Sequence, residues 1–165
     1  MPERRPRPQP LSSAQLRTRL NRLARIATRL GFVGQVEYRH VYSQAGGAQY
    51  GLAREPRNDL LIVYAEAFER DADPEDFSLD AILAHERGHQ LLARHPRLAR
   101  HLVGGLSAAS EEILASILGA MVCAPGPDRD ALLAKATAEL ISRGVAPDAA
   151  TRQIQNLWNH LEQML

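Results

Sequence analysis

Apolar residues recur along this chain with two different periods, and the change of period separates its parts. Leu16, Leu20, Leu23, Ala27 and Leu30 follow a four-three-four-three spacing, which lays them along one stripe of a helix. Ser12 or Ser13 is a natural start for that helix and Gly31 a natural stop. Val36 to Tyr42 alternates and is rich in β-forming residues. Ala45-Gly46-Gly47 then reads as a turn, Gln49 to Arg54 as a shorter strand, and Pro56-Arg57-Asn58-Asp59 as another turn. Leu60 to Tyr64 is a continuous apolar run, the pattern of a strand covered on both faces. Beyond it the chain reads as helix. One helix is expected from Ser78 to Arg94, stopped by His95-Pro96, and the segment after it is broken at Gly104-Gly105. Further helices are expected from Ser107 or Ser110 to Val122, from Asp128 to Arg143, and from Pro147 to the C-terminus. The last carries Ile154, Leu157, Trp158, Leu161 and Leu165 on one face and pairs with its predecessor as a hairpin over about residues 128–165. The elements predict an α+β chain with one domain over residues 11–165. Residues 1–10, with four prolines and three arginines, read as a disordered basic tail.

Composition narrows this picture. A chain of 165 residues is long enough for one cored domain. No apolar run approaches the length of a membrane span, and Cys123, the single cysteine, excludes an intrachain disulfide. With no apolar segment behind Met1–Pro10, a cytoplasmic protein is expected. Charge is uneven: residues 1–30 hold eight arginines against one glutamate, and residues 31–165 hold 12 basic against 18 acidic residues. Such an arm could meet nucleic acid or an acidic partner. It has no aromatic residue before Phe32 on which bases could stack, so a solvated helix face docked on an acidic body is the better reading. The final hairpin carries no basic excess that would support a DNA-binding helix-turn-helix. Residues 71–76 form an acidic run without the glycine and terminal glutamate of an EF-hand, and read as a solvated loop.

The chemistry is concentrated in His85-Glu86-Arg87-Gly88-His89. Residues four apart on a helix differ by about 40° around its axis, so both imidazoles project from one face, one turn apart. Two neutral imidazoles can then share a Zn²⁺ ion, with Glu86 beside the metal and able to take a proton from a zinc-bound water. Random placement of 6 His and 11 Glu produces this pattern about 0.01 times in such a chain. Its setting also fits: Ser78 is a natural N-cap, Asp80 suits a helix start, and Leu79, Ile82, Leu83, Gly88, Leu91 and Leu92 supply a buried side.

A site of this kind needs a third protein ligand. His95 lies ten residues after His85, the metzincin spacing, but Leu92 stands where that pattern needs glycine to turn the chain. The stronger candidate is Glu112, at the start of the next helix, with Ser116 four residues on and facing the same way. Glu111 would then point about 100° away, towards solvent or favouring the helix start.

The run Ala84-His85-Glu86-Arg87-Gly88-His89-Gln90-Leu91-Leu92 resembles the metal helix of the ImmA/IrrE family of zincin-like metallopeptidases, which are gluzincin-like in pairing His-Glu-x-x-His with a downstream glutamate. That family follows it with a glutamate, an Ala-Asn pair and a proline ten residues after the alanine; Glu112, Ala115 and Pro125 stand at those places. The likeness covers roughly residues 33 to 125. Ser116 replaces the usual asparagine, whose part is to orient a ligand histidine. The resemblance implies a small zincin-like domain, a short sheet packed on the metal helix with C-terminal helices behind it. It also implies a bacterial or phage regulatory peptidase that cleaves one protein, often a transcriptional regulator.

The expectation is therefore a zinc metalloendopeptidase without a membrane partner. His85, His89 and Glu112 hold Zn²⁺, Ser116 orients a ligand, and Glu86 acts as general base and then general acid. A peptide would lie along an edge strand, for which Gln49–Arg54 is the candidate, with Tyr50 and Tyr64 as substrate-binding residues. Tyr50, Tyr64, His101 and His160 are the candidates for a donor to the developing oxyanion. The competing expectation is a catalytically weak or inactive metal-binding protein that works through interactions.

Overall fold

The computed structural model describes residues 7–43, 46–69, 77–100 and 108–165, with only the main chain at 99, 100, 108 and 109. The acidic run 71–76, Ala45, His101, Gly104-Gly105 and Ser107 lie outside the described residues. Helix α1 spans Ser13–Arg29. The Ser12 hydroxyl accepts from Gln15 N at 3.1 Å while Gln15 Oε1 accepts from Ser12 N at 2.9 Å, a reciprocal cap that satisfies two otherwise orphaned donors. Gly31 ends the turn in the left-handed region, at φ 74°. Three strands follow: β1 (Gln35–Arg39), β2 (Ala48–Gly51) and β3 (Leu60–Tyr64). Then come α2 (Glu66–Glu69), α3 (Leu79–Arg94), α4 (Pro96–Arg100), α5 (Ala108–Val122), α6 (Pro127–Ser142) and α7 (Pro147–Met164). Both α6 and α7 open on proline, whose missing N–H is no loss in a first turn. None of the helices is long and apolar enough to cross a membrane.

The chain is thus α+β and mostly helical, with one mixed sheet among the described residues. Strand order is β1-β3-β2: β1 runs parallel to β3, and β2 pairs with it antiparallel. This leaves β2 at an edge, on the flank where the sheet contacts α3. The core has two parts, and α3 belongs to both. Leu79, Ile82 and Leu83 pack with Leu23, Ile26 and Leu61. Leu91 and Leu92 pack with Ile117, Leu118 and Ile154 of α5 and α7. Burying α3 between sheet and helices fixes its direction, and with it the direction of its histidines.

Several expectations shift. The α1 stripe is buried only from Leu23 onward; Leu16 and Leu20 are 39% and 44% exposed, because periodicity shows which residues share a face and not where the neighbouring element ends. Leu60 and Ile62 of β3 are only half-buried, so the strand is covered fully on one face alone. Strand β1 stops at Arg39 and β2 at Gly51, both earlier than the β-forming residues suggest. Leu165 is exposed rather than packed with Leu161. The described part of the N-terminal tail is held rather than free: Pro8 is buried, and His40 Nε2 donates to Gln9 O at 2.6 Å. Two arginines of the basic helix reach the body of the chain. Arg29 pairs with Asp80, while Arg19 donates to Tyr38 Oη at 2.7 Å and lies over the Phe68 ring.

Candidate metal centre

The site begins with a helix end. Ser78 caps α3 by accepting from Ala81 N at 3.1 Å, and its hydroxyl donates to Asp128 Oδ1 at 2.6 Å, tying α3 to the start of α6. About two to three turns on, α3 crosses α5 at unusually short range, and two glycines allow it. A Cβ on Gly88 would lie 1.9 Å from Ala115 O, and one on Gly119 would lie 2.5 Å from Ala84 O. Only residues without side chains let the two backbones approach so closely. Because Gly88 stands inside the His-Glu-x-x-His stretch, the same contact carries both histidines to the N-terminal part of α5.

Among the described residues, His85, Glu86 and His89 form a group whose ligand atoms all lie within 4.8 Å of one another. Glu112 completes the arrangement. Its Oε2 is 2.9 Å from His85 Nε2 and its Oε1 is 3.2 Å from His89 Nε2, while the two Nε2 atoms are 3.2 Å apart. The other ring nitrogens are also engaged from α5: His85 Nδ1 is 3.0 Å from Ser116 Oγ, and His89 Nδ1 is 3.3 Å from Glu111 Oε1. Both imidazoles therefore turn Nε2 inward and Nδ1 towards a partner, which is the orientation a metal ligand requires. Glu111 departs from its expected outward position, although its side chain remains 47% exposed. A helix start brings neighbouring side chains within reach of a deep partner even when they diverge around the axis.

The donor set fits a divalent ion. Tetrahedral coordination at about 2.0–2.1 Å spaces ligand atoms by about 3.3 Å. The two Nε2 atoms, 3.2 Å apart, lie just inside that value, and the Glu112 carboxylate meets them at 2.9 and 3.2 Å through a different oxygen each. Two imidazole nitrogens and a carboxylate converging on one point are reconciled only by a shared proton or cation.

Electrostatics favour a neutral His85 and an ionised Glu112, while His89 leans towards its charged form. Burial pushes the His85 pKa down, favouring the neutral ring. Hydrogen bonds from His85 and His89 hold Glu112 well below the ordinary carboxylate range. Burial lowers His89 as well, but its bond to Glu112 and the charges of Glu86 and Glu112 outweigh that and raise it. Glu86 is pushed up to about 7, chiefly by burial, with His89 opposing and Glu112 reinforcing the rise. A carboxyl poised there can both take and return a proton near neutrality.

These side chains line a cavity of about 260 Å³. The apolar Phe77, Ile82 and Leu132 line it too, as does Lys135 of α6. Lys135 is invisible to motif reading, although one signal was available: it is the only lysine among 20 basic Lys and Arg residues. The other expected participants are elsewhere. His95 caps α3 at its far end and is exposed. His160 is exposed on α7. Neither Tyr50 nor Tyr64 lines the cavity: the Tyr50 hydroxyl donates to Asp59 Oδ2 at 2.8 Å, and the Tyr64 hydroxyl donates to Gln49 Oε1 at 3.2 Å. A buried or half-buried tyrosine needs a partner for its hydroxyl, and both find one within the sheet region. What β2 offers the site is main chain, since the Tyr50 backbone contributes a hydrogen bond that eases Glu86 towards its charged form.

The opposite side of α3 carries a second polar cluster that sequence reading missed. Asp59, fully buried, accepts from Tyr50 Oη, from Gln90 Nε2 at 2.9 Å, from Ala53 N at 2.8 Å, and from Arg94 through both Nε and Nη2. Gln90 bonds Val33 through both its atoms, and Arg87 donates to Gln90 Oε1 at 2.7 Å and to Leu30 O. The Arg87, Gln90 and Arg94 stripe thus fastens α3 to the sheet and to the end of α1. Comparison of the chain with protein-family models, with curated proteins and with solved structures finds no match in any of the three.

Proposed function

We propose that this chain is a zinc-dependent metallopeptidase of zincin-like fold, similar to the ImmA/IrrE type, that hydrolyses a peptide bond in a protein partner. The observation that carries this reading is the convergence of His85 Nε2, His89 Nε2 and the Glu112 carboxylate to within 3.2 Å of one another, with Glu86 beside them. Zn²⁺ held by these three would supply a Lewis acid that polarises a peptide carbonyl and acidifies water. Ser116 and Glu111 hold the two rings so that Nε2 faces inward. Glu86, half-buried beside them, would take the proton from the attacking water and pass it to the leaving amine nitrogen. The open side of β2 gives an extended peptide main-chain partners beside Glu86, as strand addition to a sheet edge does elsewhere. A transcriptional regulator is the partner that the resemblance suggests. Nucleic acid has no part in this reading.

The test compares wild type with Glu86→Gln, both loaded with zinc. Equal metal content with peptide hydrolysis in wild type alone supports the peptidase. Metal bound by both and hydrolysis by neither against a broad peptide mixture leaves a metal-binding interaction protein, and absence of bound metal removes both readings.

A further inference from the structure

The cleft holds a cation that the proposed hydrolysis does not require. Lys135 projects from α6, outside the stretch that resembles the metallopeptidase family, and lines the same cavity as His85, Glu86, His89 and Glu112. Its positive charge bears on both His85 and Glu86. Among the described residues no carboxylate lies within ion-pair distance of it, and its ammonium sits against the Phe77 ring, 5.5 Å from Nζ to the centroid. Elsewhere the basic side chains of this chain are arginines, several of them paired, as in Arg29 with Asp80 and Arg94 with Asp59. An ammonium on a flexible stem, without a carboxylate partner and set against an aromatic face in a partly apolar cavity, is suited to receive an anion.

We propose that Lys135 is the specificity-determining residue of the cleft and binds a carboxylate of the peptide substrate close to the bond that is cut. The carboxylate is either an acidic side chain or a free C-terminus, and the Phe77, Ile82 and Leu132 wall takes the apolar residue next to it. This assignment rests on the metallopeptidase reading for its meaning, though not for its test. The selectivity arises because a charge-assisted bond is strong while a neutral isostere leaves the ammonium unpaired.

The zinc-loaded Glu86→Gln protein, which binds probes without consuming them, is titrated with two pairs of peptides. One pair is acetyl-Ala-Leu-Asp amide against its Asn counterpart; the other is acetyl-Ala-Leu-Ala with a free carboxylate against the same peptide amidated. Lysine labelled with ¹³C at Cε gives a single side-chain resonance, because the chain has one lysine. We expect the acid member of one pair to bind at least about tenfold tighter than its neutral partner. We also expect it to shift the Lys135 resonance and to lose its advantage in the Lys135→Met variant at unchanged zinc content. The pair that discriminates identifies the source of the carboxylate. Equal binding within both pairs, no binding of any probe, or an acid preference that persists in Lys135→Met and so belongs to the metal, each overturns the proposal. Failure of wild type to hydrolyse any peptide sinks the peptidase reading instead, and leaves the acid-against-neutral comparison to be read on its own.

Discussion

Helix α3 carries two polar clusters on opposite sides, and they differ in the way that separates a fastening from a working site. Around Asp59 the accounts close: one carboxylate receives Arg94, Gln90, Tyr50 and a backbone N–H, and no buried side-chain polar atom among the described residues lacks a partner. Around Glu112 the buried polar atoms also have partners, but the cluster is not closed off. Two ring nitrogens and a carboxylate crowd one point, Glu112 stays 45% exposed, and a cavity opens onto the group. A closed cluster stabilises the fold, whereas an open and crowded one is shaped for something that arrives.

Substitutions can separate the two clusters. Gly88→Ala should do the greatest harm because it strikes the contact that builds the site. A methyl 1.9 Å from Ala115 O must drive α3 and α5 apart. A loss of more than about 3 kcal/mol is expected, read as a lower urea midpoint together with lost zinc binding. Asp59→Ala should cost about 3 kcal/mol by stranding Arg94 and Gln90, the partial exposure of Arg94 keeping it from costing more. Zinc stoichiometry of the folded protein should not change. Glu112→Ala should do the reverse: zinc affinity falls more than about 100-fold, the upper range for residues that merely support a ligand, while the metal-free protein unfolds at nearly the wild-type midpoint. If Asp59→Ala abolished zinc binding at full folding, or Glu112→Ala destabilised the metal-free chain as much as Asp59→Ala, the contrast between the clusters would fail. Ser116→Ala should weaken zinc about 10–100-fold by freeing the His85 ring, measured by competition with a chelator.

The smallest effect concerns pH. Burial alone would raise the Asp59 pKa, but the bonds from Arg94, Ala53 N, Gln90 and Tyr50 outweigh it and hold the carboxyl well below its usual range. A depressed native pKa contributes stability that is complete above the unfolded value of about 3.9 and is lost as pH falls below it. Metal-free wild type should therefore lose stability between about pH 5 and pH 2 more steeply than Asp59→Asn does. Parallel curves in urea melts across that range would assign the acid sensitivity elsewhere.

Much of this molecule is legible in its residues, for local reasons. Ser12, Ser78, Pro127 and Pro147 mark helix starts through capping and fixed φ, and helices α1, α3, α5, α6 and α7 begin and end within a residue or two of where such signals put them. The spacing of His85, Glu86 and His89 suffices to predict their clustering, and Glu112 with Ser116 shares a helix face. What escapes reading depends on distant neighbours. Tyr50 looks like a substrate contact until Asp59 claims its hydroxyl. Glu111 looks outward until α5 is seen against His89. Gly88 reads as one residue of the buried side of its helix, and only the crossing with Ala115 shows why it carries no side chain. Lys135 is brought to the cleft by the packing of α6, which no motif encodes.

The central claim is the shared ligand set, and a crystal grown with zinc tests it most directly through anomalous scattering at the zinc edge. One peak is predicted at about 2.0–2.2 Å from His85 Nε2, His89 Nε2 and a Glu112 oxygen. No peak, or an ion bound by the two histidines with Glu112 turned away, would contradict the account.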